Sequence, residues 1–200
     1  MAEQADLTGK IAVENKGLGD VTANTVSSRQ GSMQDVNATT VEITMGSAHN
    51  VHGEQATLRQ ASARSVTGEH IVIRQGASLQ LNAETLEATQ SALGLCRSEQ
   101  VTAVASRVGG AVADQVTLDQ STAGLVIAGG RAPAIDQSAV GALVTGKAVL
   151  SDSAVGFVIA GKVEGNFAVL FSTQAALAFG AAVGAALALV LRLTRRMKKA

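Results

Sequence analysis

The sequence predicts a mainly β fold: a three-sided parallel β-solenoid of about ten coils, followed by one C-terminal transmembrane α-helix. Three observations lead to this prediction. Residues 41–130 divide into six consecutive lines of fifteen residues that align without a gap. The small and apolar residues of each line recur two apart, which is the spacing of a strand and not of a helix. Residues 167–191 contain no charged side chain.

The fifteen-residue period defines the predicted solenoid, residues 11–162. Positions in each line are numbered places 1 to 15 from Val41, and places 1, 3, 6, 8, 11 and 13 are small or apolar in most lines. Residues two apart share one face of a strand, and a turn about every five residues returns the next pair to a common axis. The frame extends upstream to Ile11. Downstream it continues to Lys162 after a two-residue insertion, Arg131 and Ala132.

Place 5 is predicted to be a corner of the coil that is lined by glutamine. In six coils it holds Gln30, Gln60, Gln75, Gln90, Gln120 and Gln137. Amides stacked one coil apart can donate to and accept from one another along the rod.

Places 6 and 13 mostly hold Gly, Ala or Ser. This predicts a narrow core, because larger side chains there would overpack it at about 1–3 kcal/mol per site.

The composition excludes several classes of function. Sixteen acidic and sixteen basic residues give a formal charge of zero, so no nucleic-acid partner is expected. The sequence has no catalytic motif and no Cys/His metal spacing, and its coils leave no room for the long loops that build an enzymatic cleft. We therefore expect no enzyme, no cofactor and no metal site. The polar segment 1–10 has no apolar core of the kind that a secretory signal needs.

An acidic ladder is predicted at place 14 in five successive coils. It consists of Glu54, Glu69, Glu84, Glu99 and Asp114. Stacked carboxylates repel one another unless solvent or a positive group compensates. Three interpretations remain open: a solvated acidic face, a surface for a basic protein partner, and a column that binds divalent cations.

Histidine and cysteine give no clear site. His49 and His52 form an H-x-x-H pair, but places 9 and 12 lie on different sides of a corner and no third ligand is evident. Cys96 is at place 11, where its neighbours in other coils are apolar, and it is the single cysteine. We expect it to be buried, and nothing indicates an oxidising compartment.

An apolar patch is predicted where the last coils expose large side chains. It consists of Leu125, Ile127, Val144, Phe157 and Ile159, at places 10 and 12 on the outside of the rod. A contiguous patch of this kind usually marks an interface. Self-association or another protein partner, contact with the lipid bilayer, and cover by the following helix all remain open.

After a short linker, residues 163–166, the segment 167–191 is predicted to cross the bilayer as a single-pass anchor. Four small residues spaced by four would allow two such helices to pack closely: Ala176, Gly180, Gly184 and Ala188.

The tail, residues 192–200, carries five basic side chains that would lie at the membrane surface: Arg192, Arg195, Arg196, Lys198 and Lys199. Two rules disagree about its orientation. Basic flanks favour the cytoplasmic side, which would place the solenoid outside, yet the solenoid has no export signal. We expect the solenoid to face the cytoplasm and leave the reverse orientation open.

The short coils VTLDQSTAGLVIAGG and AVLSDSAVGFVIAGK, with aliphatic interiors and hardly any loops, resemble those of the bactofilins. These are bacterial β-solenoids that polymerise end to end and associate with membranes. The resemblance implies a cytoskeletal or scaffolding role. The expected function is that of a membrane-anchored structural protein that forms homo-oligomers or filaments. The alternative is a membrane-tethered module whose acidic ladder captures a basic partner or divalent cations.

Overall fold

The structure, a computed structural model, describes residues 5–6, 9–14 and 17–169. The expected transmembrane helix lies outside the described residues, apart from its first three, 167–169. The four helix-packing residues and the basic tail lie outside them entirely. Among the residues that the structure describes, no helix has the length and hydropathy needed to span a membrane.

The described residues form fourteen strands. Their bounds are β1 Ala5–Asp6, β2 Lys10–Glu14, β3 Gly17–Leu18, β4 Val21–Arg29, β5 Ser32–Thr44, β6 Ser47–His52, β7 Gln55–Arg59, β8 Ser62–Arg74, β9 Ala77–Thr89, β10 Ala92–Val104, β11 Arg107–Asp119, β12 Thr122–Ala128, β13 Ala134–Asp136 and β14 Ala139–Val169.

The strands stack as successive turns of one parallel β-solenoid. Within the described residues β10 pairs with β9 on one side and β11 on the other, both parallel, and Val101 lies opposite Leu86 and Val116. Partners are sixteen residues apart between β1 and β4, fifteen apart from β2 to the insertion, and seventeen across it, as in Leu125 opposite Ala142. The mainly β fold and the parallel solenoid, of about nine turns, are confirmed.

Each coil interrupts its pairing near the turns expected every five residues. In β10 the register skips Gly94 at place 9 and Glu99 at place 14. A third interruption falls at places 5 and 6, between β10 and β11. The paired stretches between these points are the sides of the coil.

The corner at place 5 has a left-handed backbone in nine coils. Their φ values lie between 44° and 55°, and the residues are Gln30, Met45, Gln60, Gln75, Gln90, Ala105, Gln120, Gln137 and Asp152. This conformation is uncommon for residues other than glycine. Amide hydrogen bonds accompany it: Gln60 donates to Gln75 at 3.2 Å, and Gln75 donates to Gln90 at 3.1 Å. The predicted glutamine ladder is confirmed for these pairs and for Gln120 with Gln137.

The core runs the length of the rod and is narrow. Val41, Ile43 and Val51, at places 1, 3 and 11 of one coil, are each at most 1% exposed. Fully burying one such side chain stabilises a fold by about 1.5–3 kcal/mol. The predicted inward places are confirmed, and Cys96 is buried among them.

A serine ladder lies inside the place-6 corner of five successive coils. It consists of Ser91, Ser106, Ser121, Ser138 and Ser153, all buried. The backbone N–H of Ser91 donates to Oγ of Ser106 at 3.1 Å, and the same bond recurs at each step up to Ser153. Each of these hydroxyls also donates to a carbonyl two residues earlier, as Ser106 does to Val104 at 2.8 Å. The sequence predicted small residues here but not their hydrogen bonds.

The stack continues past the expected end of the solenoid. Strand β14 includes residues 163–166, where the sequence predicts a linker, and ends at Val169. Val163 packs partly buried against the core. At Gly165, which has a φ of 113°, a Cβ atom would lie 1.8 Å from the carbonyl oxygen of Leu150. A further partial coil therefore begins here, and only glycine fits at this position.

Candidate interaction surfaces

The apolar patch is present on the outside of the last coils. Phe157 and Ile159 are 47% and 54% exposed, and Leu125 and Ile127 are 39% and 36% exposed, whereas Val144 is half-buried. Ile127 lies opposite Val144 in the strand register. The structure therefore brings the predicted residues together on one side of the rod.

The same side is polar in the earlier coils. Places 10 and 12 hold Gln80 and Asn82 in β9, and Leu95 and Arg97 in β10. Between Gly110 and Val169, where the described residues end, these two places carry no charged or polar side chain. The C-terminal half of the rod thus exposes an uncharged strip. The apolar patch is the part of this strip that begins at Leu125.

A column of five glycines borders the strip at place 9. It consists of Gly94, Gly109, Gly124, Gly141 and Gly156, and a Cβ atom on any of them would lie 2.4–2.8 Å from a carbonyl oxygen of the preceding coil. Because no side chain fits at these glycines, Gly94, Gly109 and Gly124 form part of the floor of a shallow apolar groove of about 820 Å³, which is also lined by Leu79, Leu93 and Val108. The fixed spacing of these glycines was visible in the sequence, but the prediction missed it.

All five residues of the acidic ladder are exposed. The coils stack closely at this corner, since the backbone N–H groups of Glu69 and His70 both donate to the Glu54 carbonyl oxygen, at 3.0 and 2.8 Å. Within the described residues, none of the five carboxylates has a basic group within 4.0 Å. No cluster of three or more potential metal ligands occurs in the part of the chain that the structure describes.

The two histidines do not converge. Nε2 of His49 lies 3.2 Å from Nη1 of Arg64 on the next coil, whereas His52 lies opposite Thr67 in the strand register. Cys96 is completely buried, and desolvation by burial raises the pKa of its thiol to about 12. The thiolate is the reactive form of cysteine, so burial disfavours a nucleophilic role for this group.

Comparison of the chain with protein-family models, with curated protein sequences and with solved structures gives no match. The resemblance to bactofilins therefore stays an expectation from the sequence.

Proposed function

We propose that this protein is a non-enzymatic, membrane-anchored scaffold that self-associates through the apolar patch or the end coils of its β-solenoid. The observation that carries the proposal is the exposure of Phe157, Ile159 and Leu125 on one uncharged strip. Contiguous apolar surface is costly in water and usually marks an interface. Burial against a second copy would remove that cost.

The shape of the rod supports a structural role. About nine turns at roughly 4.8 Å each give a length of about 43 Å. In the first coil, β1, β2 and β3 each pair with one neighbouring strand among the described residues, so their outer edges could pair with another chain. The uncharged segment 167–191 follows directly, and as a bilayer anchor it would hold the rod at the cytoplasmic face of a membrane.

The test substitutes Phe157→Asp and Ile159→Asp in the full-length protein, purified in detergent. We expect each change to abolish association through the apolar patch by placing a desolvated charge in the interface, so that the mass of the oligomer falls in analytical ultracentrifugation. Leu79→Asp is the matched control, because Leu79 is 63% exposed but lies outside the patch. An unchanged oligomer in both Phe157→Asp and Ile159→Asp would reject the patch as the interface.

The acidic ladder supports a second candidate function, the capture of a basic protein or of divalent cations. The supporting observation is that five exposed carboxylates are stacked with no ion pair among the described residues. Replacing Glu69, Glu84 and Glu99 by Gln should abolish binding of oligolysine or calcium in calorimetric titrations. Glu42→Gln with Glu87→Gln removes charge from a different column and should change nothing. If the triple variant binds as the parent does, this function is excluded.

A further inference from the structure

A second column of side chains, at place 4, separates its charges along the rod. Strand pairing places its members in one continuous row: Glu14, Arg29, Thr44, Arg59, Arg74, Thr89, Val104, Asp119, Asp136 and Ser151. After Glu14, the first half of this charge column is basic, the centre is neutral, and the second half is acidic. Asp152, at the neighbouring place 5, extends the acidic half.

Apart from Glu14 and Arg29, the charged residues of this column have no ion-pair partner within the described chain. The two ion pairs found among the described residues are Arg29 with Glu14 and Lys162 with Glu164. Arg59 lies directly opposite Arg74 on the next coil, and Asp119 lies directly opposite Asp136. Like charges that face each other across strands destabilise a sheet. The column is therefore unfavourable in a single copy.

The column is complementary to itself when reversed. Arg74 and Asp119 stand at equal distances from the midpoint between Thr89 and Val104, and Arg59 and Asp136 stand one coil further out. A two-fold axis that passes through that midpoint and runs parallel to the strands relates the rod to a second copy whose ends are reversed. Place 4 of one copy then faces place 4 of the other. Arg59 and Arg74 then each meet an acidic residue.

We propose that two copies of this protein pair side by side and antiparallel through the charge column. Arg74 of one copy faces Asp119 of the other, and Arg59 faces Asp136. Because the contact is isologous, each of these pairs occurs twice. A parallel arrangement, in contrast, would put Arg59 and Arg74 of one copy beside the same two arginines of the other.

The neighbouring columns fit the same arrangement. At place 2, Val72 would face Thr117, and Glu87 would face Thr102. At place 5 the two glutamine ladders would meet, with Gln75 facing Gln120. No pair of like charges arises at places 2, 4 or 5 in the eight coils that begin with Val41 and end with Lys162.

The available area is that of a stable dimer. Eight coils span about 38 Å along the rod, and places 1 to 5 span about 17 Å across it. The contact would cover about 650 Å² of each copy, or about 1,300 Å² in total. Specific protein interfaces bury about 1,200–2,000 Å². This surface lies on a different side from the apolar patch, so the pairing goes beyond the proposed function and does not depend on it.

Charge reversal tests the proposal in the full-length protein in detergent, in a Phe157→Asp background that removes association through the apolar patch. Both Arg59→Glu with Arg74→Glu and Asp119→Arg with Asp136→Arg should weaken dimerisation about tenfold or more, measured by sedimentation at low ionic strength. Combining all four substitutions should restore it to within a fewfold. Arg64→Glu with Arg107→Glu makes the same charge change on another side and should leave it unchanged. Dimerisation that survives either double variant, or is not restored by the combination, overturns the pairing.

Spin-label distances test the orientation. A label at Thr89→Cys lies one coil from its symmetry mate and should give a distance near 11 Å, whereas Ser151→Cys lies seven coils from its mate and should give about 35 Å, taking about 10 Å between the rods. Equal distances at the two sites would show a parallel pair and overturn the proposal. Measuring both in a Phe157→Asp background separates this contact from the apolar patch, because the antiparallel distances should persist there.

Discussion

One hydroxyl group per coil satisfies a backbone amide that the narrow core removes from water. In the serine ladder, the N–H group of Ser106 donates to Oγ of Ser121 at 3.1 Å, and that hydroxyl donates to the Asp119 carbonyl at 2.7 Å. The ladder starts at Ser91, one coil after a glycine at the same place. It therefore stabilises the half of the rod that also carries the uncharged strip.

We expect Ser106→Ala to lower the free energy of unfolding by about 1–3 kcal/mol, because the buried N–H of Ser91 loses its acceptor. Ser98→Ala is the matched control. Oγ of Ser98 is buried without a hydrogen-bond partner among the described residues, so its removal should cost nothing or stabilise slightly. Urea unfolding measures both. Equal effects of the two changes would contradict the hydrogen-bond role.

Cys96 makes stability depend on alkaline pH. Burial raises the pKa of its thiol from 9.0 to about 12, so the unfolded chain releases this proton first. The stabilising contribution is complete below pH 9 and is lost as the pH rises toward 12. Unfolding midpoints measured from pH 8 to 11 should fall more steeply for the parent protein than for Cys96→Ala. Parallel curves would show that the thiol titrates normally.

Residue size could be predicted from the sequence, but residue conformation could not. The period identifies places 6 and 13 as small because every coil repeats the requirement. It does not show that place 5 is left-handed, since glutamine is not a typical residue for positive φ. The hydrogen bonds of Ser106 likewise depend on the direction of its side chain, which a pattern of residue types does not contain.

Among the elements, strands β10, β11, β12 and β14 share the glycine column at their place-9 corner. Each coil there approaches the next so closely that a methyl group would touch a backbone oxygen, at 2.5 Å for Gly124 against Gly109. Backbone atoms cannot move aside as a flexible side chain can. The close approach sets the geometry of the groove beside the uncharged strip.

Gly124→Ala should lower the free energy of unfolding by about 1–3 kcal/mol, because the new methyl group overpacks the corner. Gly146→Ala provides the control, since no atom lies within 4 Å of a Cβ built at Gly146. Thermal unfolding followed by circular dichroism compares the two variants. A stability loss at Gly146 as large as that at Gly124 would mean that the contact with Gly109 is not the cause.

The sequence predicts the strands of the solenoid but not the residue at which the last strand ends. It predicts a linker at residues 163–166 because the fifteen-residue line ends at Lys162 and an uncharged segment follows. Strand β14 continues to Val169 because Val163 repeats the apolar residue of place 1 and packs on the core. A single partial coil does not repeat, so the fifteen-residue period cannot identify it.

At the scale of the whole molecule, each coil contacts only its neighbours, so the rod behaves as a stack of similar units. Deleting residues 101–115 removes one coil and joins Gln100 to Val116 in frame. The variant should keep a β-type circular dichroism spectrum and unfold cooperatively at a slightly lower temperature. Deleting residues 101–104 instead would move the inward side chains of the following coils to outward places and should prevent folding. Folding of both variants, or of neither, would contradict this modular picture.

The whole-molecule fold was predictable because one constraint, the common axis, repeats in every coil. The surfaces were harder to predict, because an exposed column is not constrained by the core. The apolar patch was found from the contrast of Phe157 and Ile159 with polar residues at the same places. The charge column was missed, since Arg59 and Asp136 are 77 residues apart in the sequence and become related only through five successive strand pairings.

The insertion of Arg131 and Ala132 shows that the coil tolerates additional chain at one corner. Strand partners change from fifteen to seventeen residues apart there, yet Ser121 and Ser138 keep their 3.0 Å hydrogen bond, and Arg131 reaches out to Oε1 of Gln115. A peptide epitope or a small fluorescent domain spliced between Gly130 and Arg131 should therefore project from the rod and leave the neighbouring coils in register. This site offers a handle for following the protein in cells while both of its termini stay unmodified.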